Sequence, residues 1–174
     1  MKSFVLAALM GAVITGHAHA RAAIGSDATA CEAGNEPAIL VSITGLKDRT
    51  GRLKLELYPA TEADFLKDDR DLLKQGKFFR RVWAEMPASG PVDICIKAPK
   101  PGRYALFFTH DRDGKNKFNI WQDGAGVPGN VRMGTAKPKL ATATIDVGDD
   151  VTMAHIRAQY LRSVFTGFGP NKDK

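Results

Sequence analysis

The sequence has few of the residues from which catalytic and metal centres are usually built. It contains two cysteines and four histidines, and it has no Gly-x-Ser-x-Gly segment of the kind that presents a nucleophilic serine. The cysteines and histidines are not spaced as a zinc site or as a redox pair. These absences disfavour the commonest hydrolase, zinc and thiol-exchange chemistries.

Long apolar runs are also scarce, and the longest one lies at the start of the chain. It extends from Phe4 to Ile14, follows Lys2, and is succeeded by the small-residue ending Ala18-His19-Ala20. This order is typical of a secretory signal peptide, and a run of about eleven residues is too short to cross a bilayer as a helix. We therefore expect residues 1–20 to be a signal peptide and the protein to be periplasmic or secreted. The mature chain is predicted to have no transmembrane segment.

The charge balance restricts the possible partners. The formal net charge is +6, and residues of both signs are interleaved along the chain. A nucleic-acid-binding protein more often gathers its basic groups on one helix or pairs them with stacking aromatic residues. We predict no nucleic-acid partner, and we expect either an ordinary solvated surface or weak attraction to an anionic membrane or polysaccharide.

Cys31 and Cys95 both remain in the exported part of the chain. An oxidising compartment favours their pairing, and closing a loop of about 65 residues would contribute about 4 kcal/mol in the chain-entropy model. The alternative is a pair of buried free thiols. We predict a structural disulfide.

Alternation of apolar and polar residues dominates the mature chain and predicts strands. One short helix is predicted to begin at Thr61, and strands are predicted over residues 39–44, 53–58, 78–86, 92–97, 103–110, 141–147 and 151–161. The order of these elements predicts an all-β fold, an antiparallel β-sandwich of immunoglobulin-like or transthyretin-like type with about seven strands. Residues 21–37 are predicted to be a flexible leader unless Cys31 is bridged, residues 38–165 the sandwich, and residues 166–174 a polar tail.

Two strands carry more specific expectations. Residues 104–108 are continuously apolar, which predicts a central strand covered on both faces. Residues 53–58 alternate, so Lys54, Glu56 and Tyr58 are expected to face water. Cys95 is expected on the face of its strand opposite Ile94 and Ile96.

The segment 111–139 shows no periodicity, and an irregular connection of that length is usually functional or disordered. Asp111 and Asp113 have the alternate spacing of calcium-loop ligands. Lys115 at the next ligand position repels a cation, and Asn116 replaces the usual glycine. We therefore predict no metal and no cofactor, and expect the carboxylates to cap local turns.

The same segment contains the candidate binding residues, which are His110, Asp111, Asp113, Phe118, Asn119 and Trp121. Exposed aromatic side chains beside polar groups suit contact with a sugar or a peptide. Alternatively, Phe118 and Trp121 fold back and close the open end of the sandwich. His110 and Asp111 could form an acid–base pair, or His110 could be a partly buried histidine that bonds a backbone carbonyl.

Several of these residues also carry a resemblance to a known family. The run from Pro101 to Asp111, followed by Asp113, residues 117–119 and Gly126-Val127-Pro128, resembles domain-of-unknown-function family 2141 of bacterial exported proteins. The resemblance extends over roughly residues 39–160 and implies a β-sandwich, but it implies no reaction or substrate. The chain departs from the family pattern at Lys115, at Asn116 and after Pro128.

We therefore expect an exported, non-catalytic β-sandwich that acts as a ligand- or protein-binding module of the cell envelope through residues 111–135. Its partner is unknown. The alternative is a small hydrolase or metal-assisted enzyme that uses His110, Asp111 and Asp113. A third possibility is a structural protein that pairs through an exposed strand edge.

Overall fold

The computed structural model describes residues 22–171, so the predicted signal peptide over residues 1–20 lies outside the described residues. Three short helices are α1 (Ala28–Ala33), α2 (Asp69–Lys74) and α3 (Leu140–Ala143). The described strands are β1 (Ala38–Thr44), β2 (Arg52–Pro59), β3 (Arg80–Glu85), β4 (Val92–Lys97), β5 (Gly102–Asp111), β6 (Gly124–Gly126), β7 (Thr144–Val147), β8 (Val151–Arg157), β9 (Gln159–Ser163) and β10 (Gly167–Pro170). No helix among residues 22–171 is both long and apolar enough to traverse a membrane.

The strands form two sheets, as the sequence predicts for a sandwich. The smaller sheet has the order β4-β1-β8, and the larger has the order β10-β9-β6-β5-β2-β3 with β7 paired to the first half of β5. Neighbouring strands are antiparallel except for β1 and β8, which are parallel. The main core lies between the sheets and is formed by residues such as Ile39, Val41, Leu55, Ile94 and Phe108.

Strand β5 has the central position that its apolar sequence predicts. It pairs with β2 on one side and with β6 and β7 on the other. Leu106 and Phe108 enter the main core, while Ala105 and Phe107 contact a second, smaller core on the outer face of the sheet. Coverage on both faces explains why this strand has no polar alternation.

The expectation that one face of β2 is exposed is wrong. Lys54, Glu56 and Tyr58 are each less than a tenth exposed. Tyr58 belongs to the second core, and Arg81 binds Glu56 at 2.7 Å while Lys54 lies 3.4 Å from it. Alternation identified the two faces correctly, but the segments that cover the outer face are distant in sequence and have no periodicity of their own.

The predicted helix at Thr61 is displaced along the chain. Residues 61–66 form turns in which the Thr61 hydroxyl donates to Asp64, and Leu66 then adopts a positive φ of 61° that ends any helical run. The helix α2 begins after Asp68, whose side chain accepts the backbone N–H of Arg70 and caps it.

The prediction over residues 141–161 is correct only in part. Residues 140–143 form α3 rather than the start of a strand. The single strand expected over 151–161 is divided at Ala158, so β8 lies in the smaller sheet and β9 in the larger one. Ala154, Ile156, Ala158 and Tyr160 alternate with polar residues straight through this transfer, because all four contact the main core.

The disulfide between Cys31 and Cys95 is present, with the two Cα atoms 5.9 Å apart. Cys95 lies opposite the main core, as expected, and packs with Ala23, Ala30 and Ala38 beneath the segment that contains α1. With Cys31 bridged, the leader is held against the smaller sheet. At the other end of the chain, residues assigned to a polar tail form strand β10, which pairs with β9.

Asp27 provides a second anchor for the leader. Its carboxylate is buried, binds the Arg80 guanidinium, and accepts the backbone N–H of Lys97 at 2.9 Å. Burial raises the pKa of Asp27, but the bonds from Arg80 and Lys97 outweigh this effect and lower it below 3.8. A carboxylate with a depressed pKa stabilises the fold above its unfolded-state pKa, and this contribution is lost as the pH falls through the folded-state value.

We predict that Asp27→Asn lowers the free energy of unfolding by about 1–3 kcal/mol near neutral pH, because a charge-assisted pair is lost. The difference from the wild type should shrink as the pH falls below about 4. Asp146→Asn is the matched control, since Asp146 pairs with Arg103 in an exposed setting and its loss should destabilise the protein clearly less than Asp27→Asn does. Urea unfolding across pH measures both. Equal losses in the two variants would contradict the anchoring role.

Candidate binding loop between β5 and β6

The long irregular segment is divided by a short strand that returns to the sheet. Strand β6 pairs with the end of β5, with His110 opposite Gly124 and Phe108 opposite Gly126. Residues 112–123 therefore form a hairpin connection, which we call the β5–β6 loop. Val127 is fully buried, so the predicted excursion returns to the structure directly after β6, whereas none of residues 129–139 is buried.

Gly124 makes this return possible. Strand β6 lies between β5 and β9, and Gly124 is in register with both His110 and Tyr160. The ring of Tyr160 reaches across Gly124 to His110, and a Cβ atom at Gly124 would lie only 2.5 Å from that ring. The absence of a side chain is therefore the condition for the His110–Tyr160 contact.

His110 is fully buried and both of its ring nitrogens are bonded. Nε2 lies 2.7 Å from the carbonyl oxygen of Thr50, which can only accept, so Nε2 carries the proton. Nδ1 lies 2.7 Å from the Tyr160 hydroxyl, which donates to it and accepts the backbone N–H of Lys47 at 3.0 Å. Burial lowers the pKa of His110, against the opposing effect of the Thr50 bond, and favours this neutral form.

This arrangement gives the hydrolase hypothesis no support. The imidazole has neither an exposed edge nor an uncommitted nitrogen with which to move a substrate proton. The other interpretation, a histidine that bonds a backbone carbonyl, agrees with the structure, although burial is complete rather than partial. His110 therefore holds the β1–β2 connection, residues 45–51, against the base of the β5–β6 loop.

Ion pairs attach the base of the β5–β6 loop to the β1–β2 connection and to the first residue of β2. The Arg112 guanidinium binds Asp48 and donates to the Gln122 carbonyl at 2.9 Å. Burial raises the pKa of Asp48, but hydrogen bonds from Arg112 and Thr50 lower it to about 2. Arg52 also donates to Asp111 at 3.1 Å.

The inner side of the loop is acidic. Asp111, Asp113 and Asp123 each place one carboxylate oxygen within 4.8 Å of the others. Asp123 joins the two ends of the loop by accepting the backbone N–H groups of Arg112 at 2.9 Å and Asn119 at 2.8 Å. The spacing in the sequence points to Asp111 and Asp113 but not to Asp123, because only the pairing of β6 with β5 brings Asp123 beside them.

The outer side of the loop is aromatic and basic. Trp121 is 66 % exposed and Ile120 is 47 % exposed. A shallow pocket of about 350 Å³ is lined by Lys115, Lys117, Phe118, Asn119 and Ile120, and Asp113 of the acidic side borders it as well. Phe118 also packs on Phe168 of β10, with ring centroids 5.9 Å apart, so it folds back in part, whereas Trp121 does not.

Local hydrogen bonds hold Trp121 in place. The Asn119 side chain accepts the backbone N–H of Trp121 at 3.1 Å, and the Asn119 carbonyl accepts those of Gln122 and Asp123 at 3.1 and 2.8 Å. These bonds close a turn over residues 119–123. Asn119 and Asp123 thus fix the turn, and Trp121 projects from it.

One family model matches the chain over residues 41–155. Its description is "uncharacterized protein conserved in bacteria", domain-of-unknown-function family 2141, which agrees with the resemblance found in the sequence. No curated protein and no solved structure shows significant similarity to the chain.

We predict that Gly124→Ala lowers the free energy of unfolding by at least about 2 kcal/mol, because the added methyl group displaces Tyr160 from His110. Gly148→Ala is the matched control, since its Cβ would meet only Asp150, at an ordinary 3.4 Å. Chemical denaturation compares the two variants. If Gly124→Ala were as stable as Gly148→Ala, the proposed role of Gly124 would be wrong.

Proposed function

The chain belongs to domain-of-unknown-function family 2141, and from this premise we propose that it is an exported, non-catalytic binding module of the cell envelope. Its binding surface is the outer side of the β5–β6 loop, formed by Lys115, Lys117, Phe118, Ile120 and Trp121. The ligand class is an acidic polysaccharide. The disulfide between Cys31 and Cys95 is compatible with export.

The observation that carries this proposal is the exposure of Trp121 on a fixed turn. A tryptophan that is 66 % exposed leaves a large apolar surface in water. Its backbone N–H is bound by Asn119, so the position of the residue is largely set before any ligand arrives. Preorganisation of this kind lowers the entropy cost of binding.

The two lysines of the β5–β6 loop favour an anionic ligand, since they outnumber Asp113, the one carboxylate that lines the shallow pocket. Lys115 and Lys117 line the shallow pocket with Phe118 and Ile120, and the Lys115 side chain is 75 % exposed. A sugar ring can lie against the aromatic and aliphatic surface while its carboxylate or phosphate groups meet the ammonium groups. The net charge of +6 adds long-range attraction to the same class of ligand.

The base of the loop supports a binding role rather than a catalytic one. Two titratable groups at the base of the loop are bound to structural partners, with His110 on Thr50 and Tyr160, and Arg112 on Asp48. A rigid base beneath an exposed tip is the arrangement found where loops carry recognition on a stable scaffold.

We predict that Trp121→Ala weakens binding to a soluble polyuronate such as alginate at least tenfold, a loss of about 1.4 kcal/mol, without changing the unfolding midpoint. Phe165→Ala is the matched control, because Phe165 is 91 % exposed but lies outside the loop. Affinity electrophoresis or calorimetry measures both, with neutral dextran as the comparison ligand.

The lysines provide an independent check of the ligand charge. The double variant Lys115→Gln, Lys117→Gln should bind alginate more weakly and should lose much of the salt dependence of binding. We use substitutions and not a deletion of the irregular segment 111–139, because that segment includes strand β6, which belongs to the sheet. Unchanged alginate binding by Trp121→Ala would refute the proposed surface.

A further inference from the structure

The acidic inner side of the β5–β6 loop is not used by the proposed function. We call Asp111, Asp113 and Asp123 the loop carboxylates. They come from three different parts of the hairpin, namely the end of β5, the first turn of the loop and the residue before β6. The fold nevertheless brings one oxygen of each within 4.8 Å of the other two. Three negative charges at that separation repel one another unless a positive charge lies among them.

A second observation concerns one particular oxygen atom. The Asp111 side chain is only 2 % exposed, and its Oδ2 accepts from Arg52 at 3.1 Å and from the backbone N–H of Asn116 at 3.2 Å. Its Oδ1 has no hydrogen-bond partner among residues 22–171, and it is the one buried side-chain polar atom in that range of which this is true. A buried carboxylate oxygen without a partner is costly, and native proteins seldom keep one without a reason.

The neighbouring cations compensate this charge only in part. Arg52 serves Asp111, and the Lys115 ammonium lies 3.5 Å from Asp113. The Arg112 guanidinium is directed to Asp48 instead. Among the described residues, only Arg52 and Lys115 pair directly with the loop carboxylates, and the Lys115 side chain is 75 % exposed.

We propose that the loop carboxylates bind a hard divalent cation, with calcium as the representative ion. Carboxylate oxygens are the donors that Ca²⁺, Mg²⁺ and Mn²⁺ prefer, and the set contains no nitrogen or sulfur donor that would favour zinc or copper. Oδ1 of Asp111 is the natural first ligand, because it is buried and uncommitted. Three carboxylates leave several coordination positions to water.

The sequence argument against calcium does not apply to this geometry. Lys115 and Asn116 depart from the twelve-residue EF-hand pattern, in which alternate positions of one continuous loop and its last residue supply the ligands. Here the third carboxylate is Asp123, which the β5–β6 pairing carries back to Asp111. The site is therefore closed by the sheet rather than by the loop sequence alone.

Lys115 has a defined role in this site. Its ammonium group occupies the neighbourhood of Asp113 and competes with a cation for the same charge. The side chain can turn outward at little cost because most of its surface is already in solvent. Cation binding therefore includes displacement of Lys115, and this competition sets a modest affinity.

The test is calorimetric titration of Ca²⁺ into the protein after treatment with a chelator, together with thermal unfolding. We expect a dissociation constant on the order of 10⁻⁴–10⁻³ M, as in other exported modules, and a rise of about 3–10 °C in Tm at 10 mM Ca²⁺. Binding of Mg²⁺ or Mn²⁺ that depends on the same residues also supports a hard-cation site.

The variants locate the site. Asp113→Asn keeps an oxygen that can accept the Lys115 backbone N–H, so the fold should persist while Ca²⁺ affinity falls at least tenfold. Lys115→Gln should raise the affinity severalfold, an effect that damage to the fold cannot produce. Asp149→Asn, in the exposed β7–β8 turn, is the matched control and should bind as the wild type does.

Three results would overturn the proposal. These are the absence of both heat and a Tm shift with Ca²⁺, Mg²⁺ and Mn²⁺, unchanged affinity in Asp113→Asn, and weaker binding in Lys115→Gln. Alginate binding is measured separately with chelator present, so failure of the cation site is distinguishable from failure of the proposed polysaccharide surface.

Discussion

The contact between His110 and Tyr160 across Gly124 determines the position of the β5–β6 loop. It connects β5, β6 and β9, because His110 of β5 and Tyr160 of β9 meet over Gly124 of β6, which has no side chain. The same two residues also bind the β1–β2 connection. His110 donates to the Thr50 carbonyl, and the Tyr160 hydroxyl accepts the Lys47 N–H. Because β5 and β6 are both fixed at this contact, the two ends of the twelve-residue β5–β6 loop have little freedom to move.

This fixed base separates the two sides of the loop chemically. Asp123 uses both carboxylate oxygens to accept the backbone N–H groups of Arg112 and Asn119, so the acidic side is turned into the protein. Trp121 and Ile120 are then left on the side that faces solvent. Without these acceptors Trp121 could fold inward, as Phe118 does in part where its ring packs on Phe168 of β10.

Local patterns predicted the parts of the fold that depend on local causes. The apolar run 104–108 identified the central strand because burial on both faces leaves a mark in every residue of that strand. The alternation around Cys95 placed it opposite the main core, where the leader could reach it. The coverage of Lys54 and Glu56 was not predictable in this way, since it depends on segments without periodicity.

The β5–β6 loop also depends on contacts between residues that are distant in the sequence. The sequence presents His110, Asp111 and Asp113 as binding candidates, and in the alternative as catalytic ones, because they are close together in the chain, yet the residues that determine their chemistry are distant. Tyr160 lies fifty positions from His110, and Asp123 reaches Asp111 through β6, a Gly-Ala-Gly strand with no strand-forming signal. A histidine beside two aspartates suggests proton transfer, whereas a neutral, fully bonded histidine beside three clustered carboxylates leaves charge balance as the remaining chemical problem. The sheet pairing thus converts what resembles a catalytic motif into a rigid support with an acidic cluster.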